Sequence, residues 1–314
     1  MRGAEARVPL KLTLFGEHAV VYGRPAIAFT TSEFLTVRVI ESSSFIIRSD
    51  RLKLTGASVD MNSLRLENPE IKRKIQYITA VLRRFHIQKP IEIEIESTVE
   101  PSVGMGTSAA VVVGTVAAIS KYLELEVTKE ELARTSHEVE LEVQGIGSRM
   151  DTYTESLGGI LYFPREGGYE VLPQRSIPVT AGYFPRTATT SDILRKVKAM
   201  IEEEPTISNQ LMDIMGTITD RARQLIITQD YNRLARLMPL AHNLLGALGV
   251  TSASSDDLVS KAREVGVGCK ISGGGGGGSI LCSPPEEGKI LLKAFGAVPV
   301  KATPTFQGVS TSFI

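Results

Sequence analysis

The 314-residue chain contains no tryptophan and only two cysteines, Cys269 and Cys282. Two cysteines cannot build a disulfide framework, and they fit free thiols in a reducing cytoplasm. Net charge is also missing: 35 Lys and Arg balance 35 Asp and Glu. No overall field therefore draws the chain to nucleic acid or to an anionic membrane surface. No apolar run approaches the roughly 20 residues of a membrane span. The N-terminus lacks the charged-then-apolar order of a signal peptide, so a cytoplasmic protein without a membrane partner is expected. Nor does the glycine-rich stretch at 101–110 have the spacing of the two commonest nucleotide loops. It has no Gly-x-x-x-x-Gly-Lys-Ser/Thr, and Gly-x-Gly-x-x-Gly fails there because Ala109 stands where the third glycine belongs.

What the chain does have is Pro101-Ser-Val-Gly-Met-Gly-Thr-Ser-Ala-Ala110, running into the small apolar segment from Val111 to Ile119. Gly104 and Gly106 can adopt backbone angles closed to other residues and leave the main chain bare toward a ligand. Thr107 or Ser108 can cap the helix that follows. A helix start offers unpaired N–H groups and partial positive charge, which suits a phosphate. The alternative is a tight turn and cap whose glycines only let the backbone bend.

Hydrophobic periodicity supplies the frame. Val8, Leu10, Leu12 and Leu14 alternate with Pro9, Lys11, Thr13 and Phe15, the pattern of a half-buried strand with Lys11 facing away from the leucines. Further strands are expected at 26–29, 35–40, 45–48 and 91–96, and a helix over 69–86. Thr128-Lys-Glu-Glu131 is a capping box opening another helix, closed by Gly145 and Gly147. A strand at 178–184 is followed by helices near 191–204, 208–228, 231–248 and 255–265. Strands and helices mix without strict alternation, so the expected class is α+β. A domain boundary near 170–178 divides the chain into 1–175 and 176–314.

Three features invite chemistry. The run Gly273–Gly278 is short for a linker and lies between β-prone stretches, so a close approach of backbone to a ligand or to the neighbouring domain is the better reading. In the helix after Thr128, Leu132, Ser136, Val139 and Val143 form one stripe. Glu140 flanks that stripe, while Glu138 and Glu142 face solvent. Alone, Glu140 reads as an ordinary boundary residue as readily as a metal ligand, and Asp151 as readily as a helix N-cap.

Together these pieces resemble a family. Pro9-Leu-Lys-Leu-Thr-Leu-Phe-Gly-Glu-His-Ala-Val-Val-Tyr-Gly23 is similar to the first signature of the GHMP kinases, in the form carried by members that act on mevalonate. Pro101–Ala110 resembles the second signature, with Met105 and Thr107 in place of Leu and Ser. Lys270-Ile-Ser followed by Gly273–Gly278 resembles the third, with Gly275 in place of Ala. Asn243–Thr251 is similar to a further segment of the same members. Order and spacing hold from residue 8 to about residue 282.

The resemblance implies a two-domain α+β architecture: an N-terminal domain like ribosomal protein S5, a ferredoxin-like C-terminal domain, and an active site in the cleft between them. It implies in-line transfer of a phosphoryl group from ATP, with Mg²⁺, to the 5-hydroxyl of mevalonate. Asp151 matches the catalytic base and Lys11 the lysine beside it. Ser108 and Glu140 match the Mg²⁺ ligands. Pro101, Gly104, Met105, Gly106, Thr107, Ser108 and Ala109 would cradle the ATP phosphates. Glu17, His18 and Thr190 match residues near the acceptor. The segment before Asp151, Ser148-Arg-Met150, departs from the usual Ser-Gly-Val. Other acceptors of the family remain open: a phosphomevalonate or a sugar, although galactokinases carry Thr-Asp where this chain has Ala19-Val20. A diphosphomevalonate decarboxylase is disfavoured by the first signature. A nucleotide sensor would not need Lys11, Glu140 and Asp151 together. A homodimer is allowed rather than dictated.

Overall fold

The structure is a computed structural model describing residues 3–49, 54–58, 69–100, 103–186 and 190–314. Among these residues the first sheet has eight strands. They are β1 (Gly3–Phe15), β2 (Ala26–Glu41), β3 (Ile46–Ser49), β4 (Leu54–Ser58), β5 (Ile91–Ser97), β6 (Ile160–Phe163), β7 (Glu170–Val171) and, from the far end of the chain, β12 (Ser310–Phe313). The main order is β12-β1-β2-β5-β3-β4, with β6 joined to β2 and β7 to β6. A second sheet orders β11 (Val298–Val300), β8 (Thr180–Phe184), β10 (Gly278–Ser283) and β9 (Gly268–Ile271). All pairings but β3 with β5 are antiparallel. A doubly wound sheet is therefore excluded and the α+β class stands.

Helices α1 (Pro69–Arg84), α2 (Thr107–Tyr122), α3 (Lys129–Gln144) and α4 (Met150–Leu157) lie with the first sheet. Five more follow: α5 (Thr190–Glu203), α6 (Pro205–Ile227), α7 (Tyr231–Ala247), α8 (Ala253–Glu264) and α9 (Pro285–Ala294). Helix α2 is the central element. It is buried on nearly every side, as its run of Ala and Val demands. At Gly114 a methyl group would come within 2.6 Å of Val37 Cγ2, so glycine here lets the helix press onto β2.

Two expectations change. Strand β1 is not half-buried: Pro9, Lys11, Thr13 and Phe15 are as enclosed as the leucine face. Alternation reports which side a residue faces, not what later segments lay over it, and here α4 and the phosphate loop cover the polar face. The cysteines are not free thiols, because Cys269 on β9 and Cys282 on β10 face one another in register and form a disulfide. The hairpin between them creates that proximity, and spacing along the chain does not reveal it. The argument from thiols to a reducing compartment falls with it. The last strand, β12, pairs with β1 and so lies in the first sheet.

Candidate active site

The phosphate loop is fixed from three directions. Gly104 and Gly106 take φ of 87° and 76°, left-handed values that glycine adopts without cost. The Lys11 backbone N–H, at a bulge where β1 leaves its register with β2, donates to Met105 O at 3.1 Å. Ser279 Oγ donates to Val103 O at 2.7 Å. Neither Thr107 nor Ser108 caps α2, contrary to expectation; Gly106 occupies the N-cap and supplies no side chain. The first turn, which carries both hydroxyls, thus presents its N–H groups without a side-chain acceptor from the cap, which favours an anion there. Pro101 lies outside the described residues.

The third glycine-rich segment closes over this loop. Five of its six glycines have positive φ. A methyl at Gly273 would approach Gly104 O to 2.9 Å, and one at Gly275 would strike Val250 O at 2.0 Å. The run is therefore a close-packed crossing rather than a linker. Ser272 Oγ accepts from Thr13 N at 2.9 Å and ties the segment to β1.

On the polar face of β1, the Lys11 ammonium contacts Asp151 Oδ1 at 2.8 Å and donates to Thr13 Oγ1 at 3.0 Å. Lys11 is almost fully enclosed, whereas the Asp151 side chain is 32% exposed. Asp151 lies in the first turn of α4 and is not its N-cap; Arg149 holds that position. Helix α3 opens with the expected capping box at Thr128 and Glu131 and buries Leu132, Ser136, Val139 and Glu140. Burial, with the charge of Asp151 nearby, pushes the Glu140 carboxyl up to about 8, opposed by Lys11. Glu138 points outward and bonds Arg84. The phase argued for Glu140 is the one observed.

Glu17 and His18 follow Gly16 at the end of β1. Glu17 is buried and paired with Lys270, which also donates to Ile271 O at 2.6 Å. Its second oxygen, Oε2, has no partner among the described residues. His18 adopts φ 59°, ψ −49°, a strained conformation for a non-glycine residue. Its Nε2 is 3.0 Å from Gly274 O, and because a carbonyl only accepts, Nε2 carries the hydrogen and Nδ1 is the acceptor. Nδ1 is buried and unpartnered in the described structure. Burial lowers the imidazole to about 4; the Gly274 bond raises it and Arg186 lowers it further. Thr190 opens α5, with its side chain outside the described atoms.

Sequence reasoning assigned no role to Lys270, Thr13, Ser272 or Ser279, all of which hold the site. It also passed over Glu155, one helical turn after Asp151 and fully buried. An acidic residue at i+4 from Asp151 was the available signal.

A glycine-rich loop at a buried helix start, a Lys–Asp pair beside it and a buried Glu on the next helix are the arrangement that a phosphotransferase of the GHMP type would need. The GHMP kinases N terminal domain matches residues 73–159, and the GHMP kinases C terminal matches residues 222–298. The chain is 50% identical over 312 residues, 99% of both chains, to the mevalonate kinase of Saccharolobus solfataricus. It belongs to the GHMP kinase family. Among solved structures, L. major mevalonate kinase in complex with R-mevalonate superposes with a TM-score of 0.77 at 23% identity over 96% of each chain. Lactococcus lactis galactokinase complexed with galactose reaches 0.78 at 15% identity, over 98% of this chain and 95% of its own. The fold is thus common to kinases of different acceptors, and fold alone does not choose among them.

Proposed function

We propose that the protein transfers the γ-phosphoryl group of ATP to the 5-hydroxyl of mevalonate, with Lys11 and Asp151 as the groups at the reacting atoms. It is an ATP-dependent kinase acting on an alcohol. The observation that carries the residue assignment is the Lys11–Asp151 contact of 2.8 Å beside the N-terminus of α2.

The ATP phosphates lie on the first turn of α2, where N–H groups and the hydroxyls of Thr107 and Ser108 meet them. Lys11 brings a fixed cation to the phosphoryl group in transit, and Asp151 accepts the hydroxyl proton as the P–O bond forms. Charge neutralisation and alignment carry most of the rate. The donor set suits Mg²⁺: a Ser hydroxyl and one carboxylate, completed by phosphate oxygens, is the way this ion is commonly held. Ser108 and Glu140 would hold it. Glu140 fits because a carboxyl pushed up chiefly by burial, and next by the charge of Asp151, gains most from a cation. When bound, Mg²⁺ neutralises phosphate charge. No cluster of three His, Cys, Asp or Glu residues able to hold a metal occurs among the described residues.

His18 Nδ1 and Glu17 Oε2, both buried acceptors without partners, suit hydroxyl donors of the acceptor substrate. Keeping His18 neutral preserves its lone pair. Residues 1–175 and 176–314 serve as the two domains, with β12 returned to the first. Dependence on ATP favours the cytoplasm, although the disulfide is a feature that argues the other way. No described helix is long and apolar enough to cross a membrane.

The test is to follow ADP release with Mg²⁺ and a panel of mevalonate, phosphomevalonate, homoserine and galactose. Turnover with mevalonate alone is expected; turnover with galactose or phosphomevalonate in its place would overturn the assignment.

A further inference from the structure

Glu155 has no role in the mechanism above, yet it lies at the centre of the site. It follows Asp151 by four residues on α4, so the two share a helix face. Its side chain is fully buried and neither carboxyl oxygen has a hydrogen-bond partner among the described residues. A methyl at Gly106 would come within 2.3 Å of Glu155 Oε1 and within 3.0 Å of Lys11 Cε and Cγ. The carboxyl, the Lys11 stem and the N-cap of the phosphate helix therefore meet at one point. An apolar residue would fill this space without the several kcal/mol that an unpartnered buried polar group costs.

The geometry points to Glu155 as a positioning residue of the Lys11–Asp151 pair. Its carboxyl backs the Lys11 stem and the Gly106 N-cap, and offers its acid hydrogen to Asp151 as Lys11 turns toward the phosphoryl group. Asp151 pairs with the Lys11 ammonium, and Glu140 and Glu155 both lie within the electrostatic reach of that pair; like charges so placed do not all ionise. Of the three, Asp151 is the one paired with Lys11, and its side chain is 32% exposed. Glu155 is held well above the carboxylate range, chiefly by burial and next by Asp151, against the pull of Lys11. It can thus act as an uncharged donor. A negative charge behind Gly106 would instead oppose the ATP phosphates.

This inference rests on the kinase reading, and its test separates the two. Glu155→Gln keeps the shape and a donor; Glu155→Leu keeps only the bulk. Steady-state kinetics with mevalonate and ATP, thermal unfolding and ATP binding by calorimetry are measured on both. Glu155→Gln is expected to hold kcat and both KM values within about threefold of wild type. Glu155→Leu is expected to lose roughly 10- to 100-fold in kcat, the effect of a small misplacement of reacting groups, with ATP affinity intact. Full activity in Glu155→Leu would reduce the residue to packing, and a loss in Glu155→Gln equal to that in Glu155→Leu would remove the uncharged-donor role. Should Glu155→Leu fail to fold, infrared difference spectroscopy decides: wild type minus Glu155→Gln at neutral pH should show a protonated-carboxyl C=O band, and its absence overturns the proposal. The spectrum requires no turnover, so inactivity of the wild type on mevalonate would sink the substrate reading while leaving Glu155 decided.

Discussion

A single methyl group at position 106 probes the site most economically. Gly106 has φ 76°, and a non-glycine residue in the left-handed region costs roughly 1–2 kcal/mol. The added carbon would also stand 2.3 Å from Glu155 Oε1 and 3.0 Å from Lys11 Cε. Both side chains are buried and have little room to retreat, so overpacking adds about 1–3 kcal/mol. Gly106→Ala should therefore lose about 2–5 kcal/mol in denaturant unfolding. Because the displaced groups include Lys11, kcat should fall by roughly 10²-fold, the scale expected for a displacement near 1 Å. The methyl points inward, toward Glu155 and Lys11, so ATP affinity measured by calorimetry should change less than kcat. Stability within about 0.5 kcal/mol of wild type, the scale of ordinary surface substitutions, together with unchanged kcat would refute the packing described here.

Other outcomes follow from single groups. Glu140→Gln should lower Mg²⁺-dependent turnover by roughly 10²-fold or more, several kcal/mol being the usual contribution of a catalytic cation, and should raise the Mg²⁺ concentration needed. Glu138→Gln removes only a surface pair with Arg84, worth at most about 1 kcal/mol, and should leave kinetics unchanged; equal effects would sink the assignment of Glu140. His18 titrates near 4 when folded against 6.5 for the free side chain, so the unfolded chain binds the extra proton between those values. Its contribution is complete above pH 6.5 and is lost as the pH falls toward 4, by about 3 kcal/mol in all. Urea unfolding across that range should show this loss in wild type and a smaller one in His18→Asn; identical slopes would contradict a buried neutral imidazole.

The parts of the site legible in the sequence rest on local periods. Helical phase separates Glu140 from Glu138, strand alternation turns Lys11 from the leucines, and Thr128 with Glu131 announces its helix. The parts that were not legible depend on chain segments distant in sequence. Thr13 and Ser272 are 259 residues apart, and Glu17 reaches Lys270 across 253. No window of sequence contains either pair. The Cys269–Cys282 bridge belongs to the same class, because a hairpin sets the distance between its ends. The N-cap of α2 was misread for another reason. Hydroxyl residues are the usual caps, and here a left-handed glycine leaves the helix start bare for a ligand. Glu155 shows the cost of following local rules alone: a glutamate in a helix is ordinarily solvated, and this one is buried against Gly106 and Lys11.

The account depends most on Lys11 and Asp151 acting as one unit on the transferring group. Asp151→Asn, Lys11→Met and the double variant should be compared by steady-state ADP release with mevalonate, with ATP binding measured in parallel. Asp151→Asn should lose roughly 10²- to 10⁴-fold in turnover with ATP affinity nearly intact, because the phosphate contacts come from the first turn of α2. Lys11→Met should lose turnover too, and the double variant should lose far less than the product of the two single losses. Near-wild-type turnover in Asp151→Asn, or losses that multiply in the double variant, would contradict a shared role at the 2.8 Å contact.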